Sequence, residues 1–218
     1  MTPELLLEEQ TLAPALKVML LLGAASLLPA ILLSMTSFVR IVVVLSLLRQ
    51  GLGSMQSPPT QVIVGLSLFL TAFTMAPVMS EIQEKAWEPM QRNELTEFQA
   101  IEAATLPTER FMLRQTREKD LALFYEFTGK PLPERVEDVP LTMAMPAFVL
   151  SEMTTAFQMG VIVLLPFLVV DLAVASLLMS MGMMMVPPTM MSLPIKLLLF
   201  VLVDGWNLVA GSLLRSFA

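Results

Sequence analysis

The sequence has no cysteine and no histidine among its 218 residues. Without thiolate and imidazole ligands the common zinc sites cannot form, and cysteine nucleophiles and histidine-based triads are excluded with them. A disulfide framework is excluded too, so cysteine usage does not indicate a redox compartment. Gly51-Leu52-Gly53 lacks a third glycine and a preceding strand, and no Gly-Lys-Ser/Thr loop is present. Nothing therefore predicts nucleotide binding or any other cofactor.

Charge is also scarce. Only 15% of the residues are charged, 56% are hydrophobic, and the mean hydropathy is +0.74. This composition predicts a membrane or membrane-derived protein. Most of the net charge of -6 lies between Glu81 and Asp138, a segment that contains thirteen acidic and eight basic residues. A basic face is missing, so no nucleic-acid partner is predicted.

Four long apolar blocks account for the hydropathy. They span residues 18–48, 62–79, 153–186 and 189–214, and each approaches or exceeds the roughly 20 residues that a spanning helix needs. The first and third are too long for simple spans, so we predict an all-α chain of kinked helical hairpins, with bends at internal prolines. These prolines are Pro29, Pro77, Pro166 and Pro194.

Three regions follow from this pattern. Residues 1–80 form an N-terminal helical hairpin, residues 81–142 a small polar helical segment, and residues 143–218 a C-terminal hairpin. In the polar segment, apolar positions three and four residues apart predict a helix over residues 120–127 that ends at Gly129.

The two hairpin tips share a Pro-Pro-Thr sequence. Pro58 and Pro59 precede Thr60 in the first tip, and Pro187 and Pro188 precede Thr189 in the second. Proline restricts the preceding residue away from the helical region, so both pairs predict helix breaks. Basic residues near the tips place them on the cytoplasmic side of the membrane, which leaves the polar segment extracytoplasmic. The acidic N-terminus lacks the basic region of a secretory signal, so no cleavable signal is predicted.

A methionine run marks the second tip. Met183, Met184 and Met185 stand in a row, just before Pro187. Methionine is unbranched and polarizable and can repack around different partners. The run predicts either an adaptable apolar seal or ordinary core filling.

Five charged residues lie within or beside the apolar blocks: Arg40, Glu152, Asp171, Lys196 and Asp204. Charges in such helices are costly and are expected to pair, either to fix packing between helices or subunits or to serve transport. Asp171 and Asp204 also raise the hypothesis of an intramembrane aspartyl protease, although the Gly-x-Gly and Tyr that precede such aspartates are missing here. A solute transporter would need a pocket near Pro166 or Pro194.

Several segments together resemble the FliP family of flagellar biosynthesis proteins. The segments that carry the resemblance, in chain order over nearly the whole sequence, are residues 28–33, 36–40, 58–62, 111–117, 151–153, 156–158, 182–188 and 202–206. They include Phe-Met-Leu-Arg-Gln-Thr-Arg at 111–117 and Leu-Val-Asp-Gly-Trp at 202–206. The virulence-secretion (injectisome) relatives share the hairpins, whereas the wording of residues 111–117 is more similar to the flagellar branch.

The resemblance implies a function. It implies a core pore-forming subunit of a type III export gate in the bacterial inner membrane at the flagellar basal body, with no enzymatic activity. Five copies would join FliQ and FliR subunits, near FlhB and FlhA, and conduct unfolded flagellar proteins. Met183, Met184 and Met185 would form a gasket around the pore, and Arg40, Glu152, Asp171 and Asp204 would lie at assembly interfaces. The family is also thought to assemble above the membrane plane, which would explain over-long, charged helices.

Overall fold

The computed structural model describes residues 33–53, 57–129, 131–133, 138–183 and 185–217, and residues 16, 18, 19, 22, 23, 25–27 and 29–31. Within these residues all regular structure is helical, which confirms the predicted all-α class. The bounded helices are Phe38–Gly51 (α1), Thr60–Ile82 (α2), Glu88–Gln91 (α3), Glu97–Gln115 (α4), Glu118–Thr128 (α5), Leu141–Ser180 (α6), Pro188–Leu202 (α7) and Gly205–Arg215 (α8). A π-helical turn, Gln83–Trp87, joins α2 to α3.

The first hairpin consists of α1 and α2. The hydroxyls of Ser37 and Thr74 lie 2.5 Å apart at its open end, and Arg49 donates to the Thr60 hydroxyl at 3.0 Å at its tip. These two contacts fix the helices antiparallel. Pro58 and Pro59 both lie in the connection, and α2 begins directly after Pro59.

The second hairpin consists of α6 and α7. The rings of Phe167 and Phe200 lie 6.3 Å apart between these antiparallel helices. Pro187 precedes α7 and Pro188 is its first residue, a position where a proline costs no backbone hydrogen bond. Pro77, Pro166 and Pro194, where the sequence predicts bends, all lie inside continuous helices. A bend of 64° separates α7 from α8.

The two hairpins meet along α1 and α6, which run parallel in a constant register. Arg40 contacts Glu152 near the start of this contact, and Gly51 lies against Leu164 near its end. Because α6 has 40 residues and continues to Ser180, the second tip projects beyond the first hairpin. The overhang after Phe167 measures about 20 Å at 1.5 Å per residue.

The main core fills the space between the hairpins. Its buried side chains come from α1, α2, α6, α7 and α8, with the connection after α1 adding one: Ile41, Val44, Leu45, Leu48, Leu52, Ile63, Ala156, Phe167, Phe200, Val209 and Leu213. The polar segment packs against the first half of α6 through two smaller clusters, centred on Phe148 and on Tyr125. Helix α5 ends at Gly129, whose φ of +67° confirms the predicted stop.

Two long helices retain large uncovered apolar surfaces. The continuous stretch Thr60–Gln91 and the helix Leu141–Ser180 are long and apolar enough to cross a membrane, and α7 with α8 would make a third span if the bent pair is counted as one. Within the single chain only 28% and 11% of the apolar windows of the first two are buried. Lipid or other protein chains must therefore cover the remainder.

Replacing Leu48 tests the inter-hairpin core. Leu48 is 1% exposed, so we expect Leu48→Ala to lose its apolar contacts and leave a cavity. The free energy of unfolding should fall by about 2–5 kcal/mol, measured by denaturation of the purified chain in detergent. The matched control is Leu198→Ala, because Leu198 is exposed on α7. Equal losses in both variants would contradict this core assignment.

Candidate functional site

Arg40 is the centre of a buried hydrogen-bond network. Its guanidinium makes a bidentate pair with Glu152, with Nε at 2.9 Å from Oε2 and Nη2 donating to Oε1. Nη2 also donates to Gln115 at 3.1 Å, and Nη1 donates to the carbonyl and the hydroxyl of Ser216 at 2.9 and 3.0 Å. All five N–H donors of the arginine are therefore satisfied. The arginine is 2% exposed and the glutamate is fully buried.

The network joins parts of the chain that are distant in sequence. Arg40 lies on α1, Glu152 on α6, Gln115 at the end of α4, and Ser216 directly after α8. The next residue, Phe217, adds a cation–π contact, with its ring centroid 3.9 Å from the guanidinium carbon. One side chain thus fixes both hairpins, the polar segment and the C-terminal helix to each other.

Lys196 forms a second network at the other end of the α1–α6 contact. Its ammonium lies 2.6 Å from Asp171 on α6 and 3.0 Å from the carbonyl of Gly51 at the end of α1. Ser192, one turn before Lys196, donates to the other oxygen of Asp171 at 2.5 Å. A cation at the carbonyl end of α1 also complements the helix dipole. The overhanging hairpin is anchored here to the first hairpin.

Asp204 lies at the bend between α7 and α8 and is exposed in the single chain. It adopts a left-handed conformation with φ of +51°, which aspartate tolerates better than most residues. Its carboxylate accepts a hydrogen bond from Asn207 at 3.1 Å. At Gly205 a Cβ would lie 2.2 Å from the Phe200 ring, so only glycine fits there. The left-handed Asp204 and the following Gly205 together explain the position of the 64° bend.

The methionine tip begins with a defined helix end. Gly182 has φ of +73°, its N–H donates to the carbonyl of Met179, and the N–H of Met183 donates to the carbonyl of Leu178. These two bonds form a Schellman motif, which requires the left-handed residue that glycine supplies. Met183 is 41% exposed and Met185 is 98% exposed. Met184 lies outside the described residues.

Among the described residues, the two aspartates of the protease hypothesis have separate partners, and the groove beside Pro166 is apolar. Asp171 binds Lys196 and Ser192, whereas Asp204 binds Asn207, and the described residues show no hydrogen bond between the two carboxylates. A groove of about 370 Å³ runs along α6 beside Pro166. Its lining is Leu165, Leu168, Val169, Leu172, Ala173 and Ser176, which offers a solute no charged group.

Similarity to known proteins now decides the family. A family model described as the FliP family matches residues 21–213. The chain belongs to the FliP family. The flagellar biosynthetic protein FliP of Bacillus subtilis (strain 168) is 50% identical over 210 residues, 96% of this chain and 95% of that protein. The FliP of Pectobacterium carotovorum is 52% identical over 203 residues, 93% and 79% of the two chains, and that of Aquifex aeolicus is 44% identical over 216 residues, 98% and 90%.

Three of the segments that carry the FliP resemblance meet at Arg40. Residues 36–40 supply Arg40, residues 111–117 supply Gln115, and residues 151–153 supply Glu152 to one network. Residues 202–206 form the bend after α7, and residues 182–188 form the tip. These five segments therefore lie where helices are joined or turned.

The structure adds a third polar cluster that the sequence reasoning missed. The hydroxyl of Ser151 donates to Asp120 at 2.6 Å and accepts the backbone N–H of Arg117 at 3.0 Å. The Arg117 side chain also binds Asp120, at 2.7 Å from Nε. Burial raises the pKa of Asp120, but these two hydrogen-bond donors outweigh it and hold the pKa below the usual value. The three consecutive charged residues at the start of α5 were the sequence feature that could have indicated this cluster.

Removing Arg40 should strongly destabilise this FliP-family chain. Arg40→Met leaves Glu152 as a buried carboxylate without its partner, so the free energy of unfolding should fall by about 3–5 kcal/mol. Arg40→Met combined with Glu152→Met should recover much of that loss, because neither charge is then buried alone.

Denaturation in detergent measures both effects. The control is Arg92→Met, which breaks the exposed pair with Glu88 and should cost below about 1 kcal/mol. A double variant as unstable as Arg40→Met alone would contradict the stranded-carboxylate explanation.

The Asp120 cluster predicts a pH dependence of stability. Because folding lowers the pKa of Asp120, its contribution is complete above the unfolded value of about 3.9 and is lost as the pH falls through the lower folded value. Asp120→Asn should remove this component from the acid limb of the stability curve. Glu118→Gln, two residues before Asp120 on α5 and exposed, should leave it in place. Identical acid limbs in the native chain and Asp120→Asn would contradict the role of this carboxylate.

Proposed function

We propose that this chain is a core pore-forming subunit of the flagellar type III protein export gate, without enzymatic activity. Membership of the FliP family, whose relatives are named flagellar biosynthetic proteins, supports this function. Those names favour the flagellar system over a virulence injectisome. The long apolar helices support a place in the bacterial inner membrane, at the flagellar basal body.

The chain is proposed to work as one of five identical copies, assembled with FliQ and FliR subunits and located near FlhB and FlhA. The uncovered apolar surfaces of α2 and α6 support such an assembly, because a single copy cannot bury them. Membrane lipid would cover what the subunits leave exposed. The substrates are exported flagellar proteins, which pass through the central pore unfolded.

The projecting methionine tip is the observation that carries the pore role. Helix α6 extends about 20 Å past the end of α1, and Met183 and Met185 are exposed at the end of the second hairpin. Copies arranged around an axis would bring these side chains, with Met184, to one constriction. Flexible thioether side chains can pack against each other when the pore is empty and against an extended chain that passes through it, because they repack at low cost. The tip is therefore proposed as the gasket that limits leakage.

The charged networks are proposed to hold each copy in its assembly-competent shape. Arg40 with Glu152 fixes the hairpins at one end, and Lys196 with Asp171 fixes the base of the projecting tip. Asp204 is exposed at the bend, which suits a contact with a neighbouring subunit. In this arrangement the tips face the cytoplasm, and residues 81–142 face the periplasm.

Replacing the tip methionines tests the gasket. We expect the triple substitution of Met183, Met184 and Met185 by Ala to raise the ion conductance of membranes that contain the complex, because alanine leaves the constriction open. The native chain and the triple variant are each co-expressed with FliQ and FliR. Native mass spectrometry should show the same heteromer, with several copies of this chain, in both cases.

Met190→Ala is the matched control. Met190 is exposed on the first turn of α7, outside the run, so its loss should leave the conductance unchanged. Unchanged conductance of the triple variant in an intact heteromer would contradict the gasket. A chain that stays monomeric and binds neither FliQ nor FliR would contradict the export-gate proposal itself.

A further inference from the structure

A groove in the polar segment is unused by the proposed pore. It has a volume of about 380 Å³ and lies between the π-helical turn with α3 on one side and the first half of α4 on the other. Its lining is Ile82, Ala86, Trp87, Met90, Glu97, Ala100, Ile101 and Ala104. Ala86 and Ala100 are buried, whereas Trp87 and Ile101 are exposed. Small side chains therefore form the floor, and large apolar ones form the walls.

Local backbone structure contributes to the shape of the groove. The π-helical turn Gln83–Trp87 interrupts the continuation of α2 and presents Ala86 and Trp87. Such turns are rare and occur frequently at functional sites. On the opposite wall, lining residues recur at three and four residues along α4, so both walls run for about two helical turns. A groove of this form accepts the apolar face of a helix.

The charges around the groove specify its partner. Residues 82–104 contain five glutamates and only two basic residues. Both basic residues are already paired, Lys85 with Glu81 and Arg92 with Glu88. The described residues offer no ion pair to the four remaining glutamates, which are Glu84, Glu94, Glu97 and Glu102. A complementary partner must therefore carry positive charge beside its apolar residues.

The same charge balance disfavours two other occupants. The chain's own first nine residues include three glutamates and no basic residue, so this segment would be repelled. A second copy would present a polar segment with the same acidic excess between Glu81 and Asp138. The occupant that fits both shape and charge is a different protein.

We propose that this groove binds an amphipathic helix of another protein, with apolar residues on one face and lysine or arginine on its flanks. The apolar face packs between Trp87 and Ile101, and the basic flanks pair with Glu97 and its unpaired neighbours. This interaction is separate from the gasket and the hairpin networks. It gives the polar segment a recruiting role on the outer side of the gate.

Two synthetic peptides of about 18 residues test the proposal, since that length supports a helix. Both carry leucines every three to four residues, and their polar positions are lysine in one and glutamate in the other. Binding to the purified full-length complex in detergent is followed by fluorescence anisotropy. We expect saturable binding of the lysine peptide that weakens as salt rises, and much weaker binding of the glutamate peptide.

Variants place the binding at the groove. Ile101→Lys should weaken the lysine peptide by about tenfold or more, and Ala104→Leu, which fills the groove without a charge change, should also weaken it. Phe127→Lys is the matched control, because Phe127 is 91% exposed on α5 of the same segment, and it should change the affinity less than about twofold.

Three results would overturn the proposal: equal binding of both peptides, equal effects of Ile101→Lys and Phe127→Lys, or a changed copy number in the native mass spectrum of Ile101→Lys. The last would identify the groove as an interface between copies. Conductance of the complex is not expected to change in any of these variants, so failure here is distinguishable from failure of the gasket.

Discussion

The fold depends on the requirement that a buried guanidinium satisfy five donors. Arg40 lies in an otherwise apolar helix, where an unpaired charge would cost several kcal/mol. Its partners can reach it only if α6, the end of α4 and the residue after α8 meet at one point. Hydrophobic burial alone would allow these apolar helices to slide or rotate against each other. The arginine permits one register, and the parallel contact between α1 and α6 follows from it.

The two ends of that contact share a logic. At each end a cation on one helix meets a carboxylate on α6, and each cation also binds a backbone carbonyl of another element. Between the ends the packing is apolar and close. The polar contacts thus define geometry, whereas the apolar ones supply most of the stabilisation. Such a division suits a protein whose long helices keep large apolar surfaces outside the core, because burial alone then distinguishes poorly between the buried and the outward faces of these helices.

Sequence reasoning predicted the features that are local. Hydropathy gave the helical hairpins, the double prolines marked both tips, and Gly129 ended α5 as predicted. The bend after α7 was not predicted, because it arises from a left-handed aspartate and a glycine under a phenylalanine ring, not from a proline. Partner choice among the charges also needed the three-dimensional register. Ser151 was missed because a serine in an apolar helix carries no signal until Asp120 is placed beside it.

Because α6 extends far beyond its contact with Lys196, a small change in the angle of this overhang moves the tip by a larger distance. From Asp171 to Met181 the helix extends about 15 Å, at 1.5 Å per residue. A tilt of 10° about the Lys196 anchor therefore moves the tip by roughly 3 Å, about one atomic diameter. If the overhangs of several copies bent outward together, the aperture of the proposed gate would widen by about twice that amount. In the proposed gate the second hairpins would then act as levers, and the angle of their overhangs would set the diameter of the aperture without any unfolding.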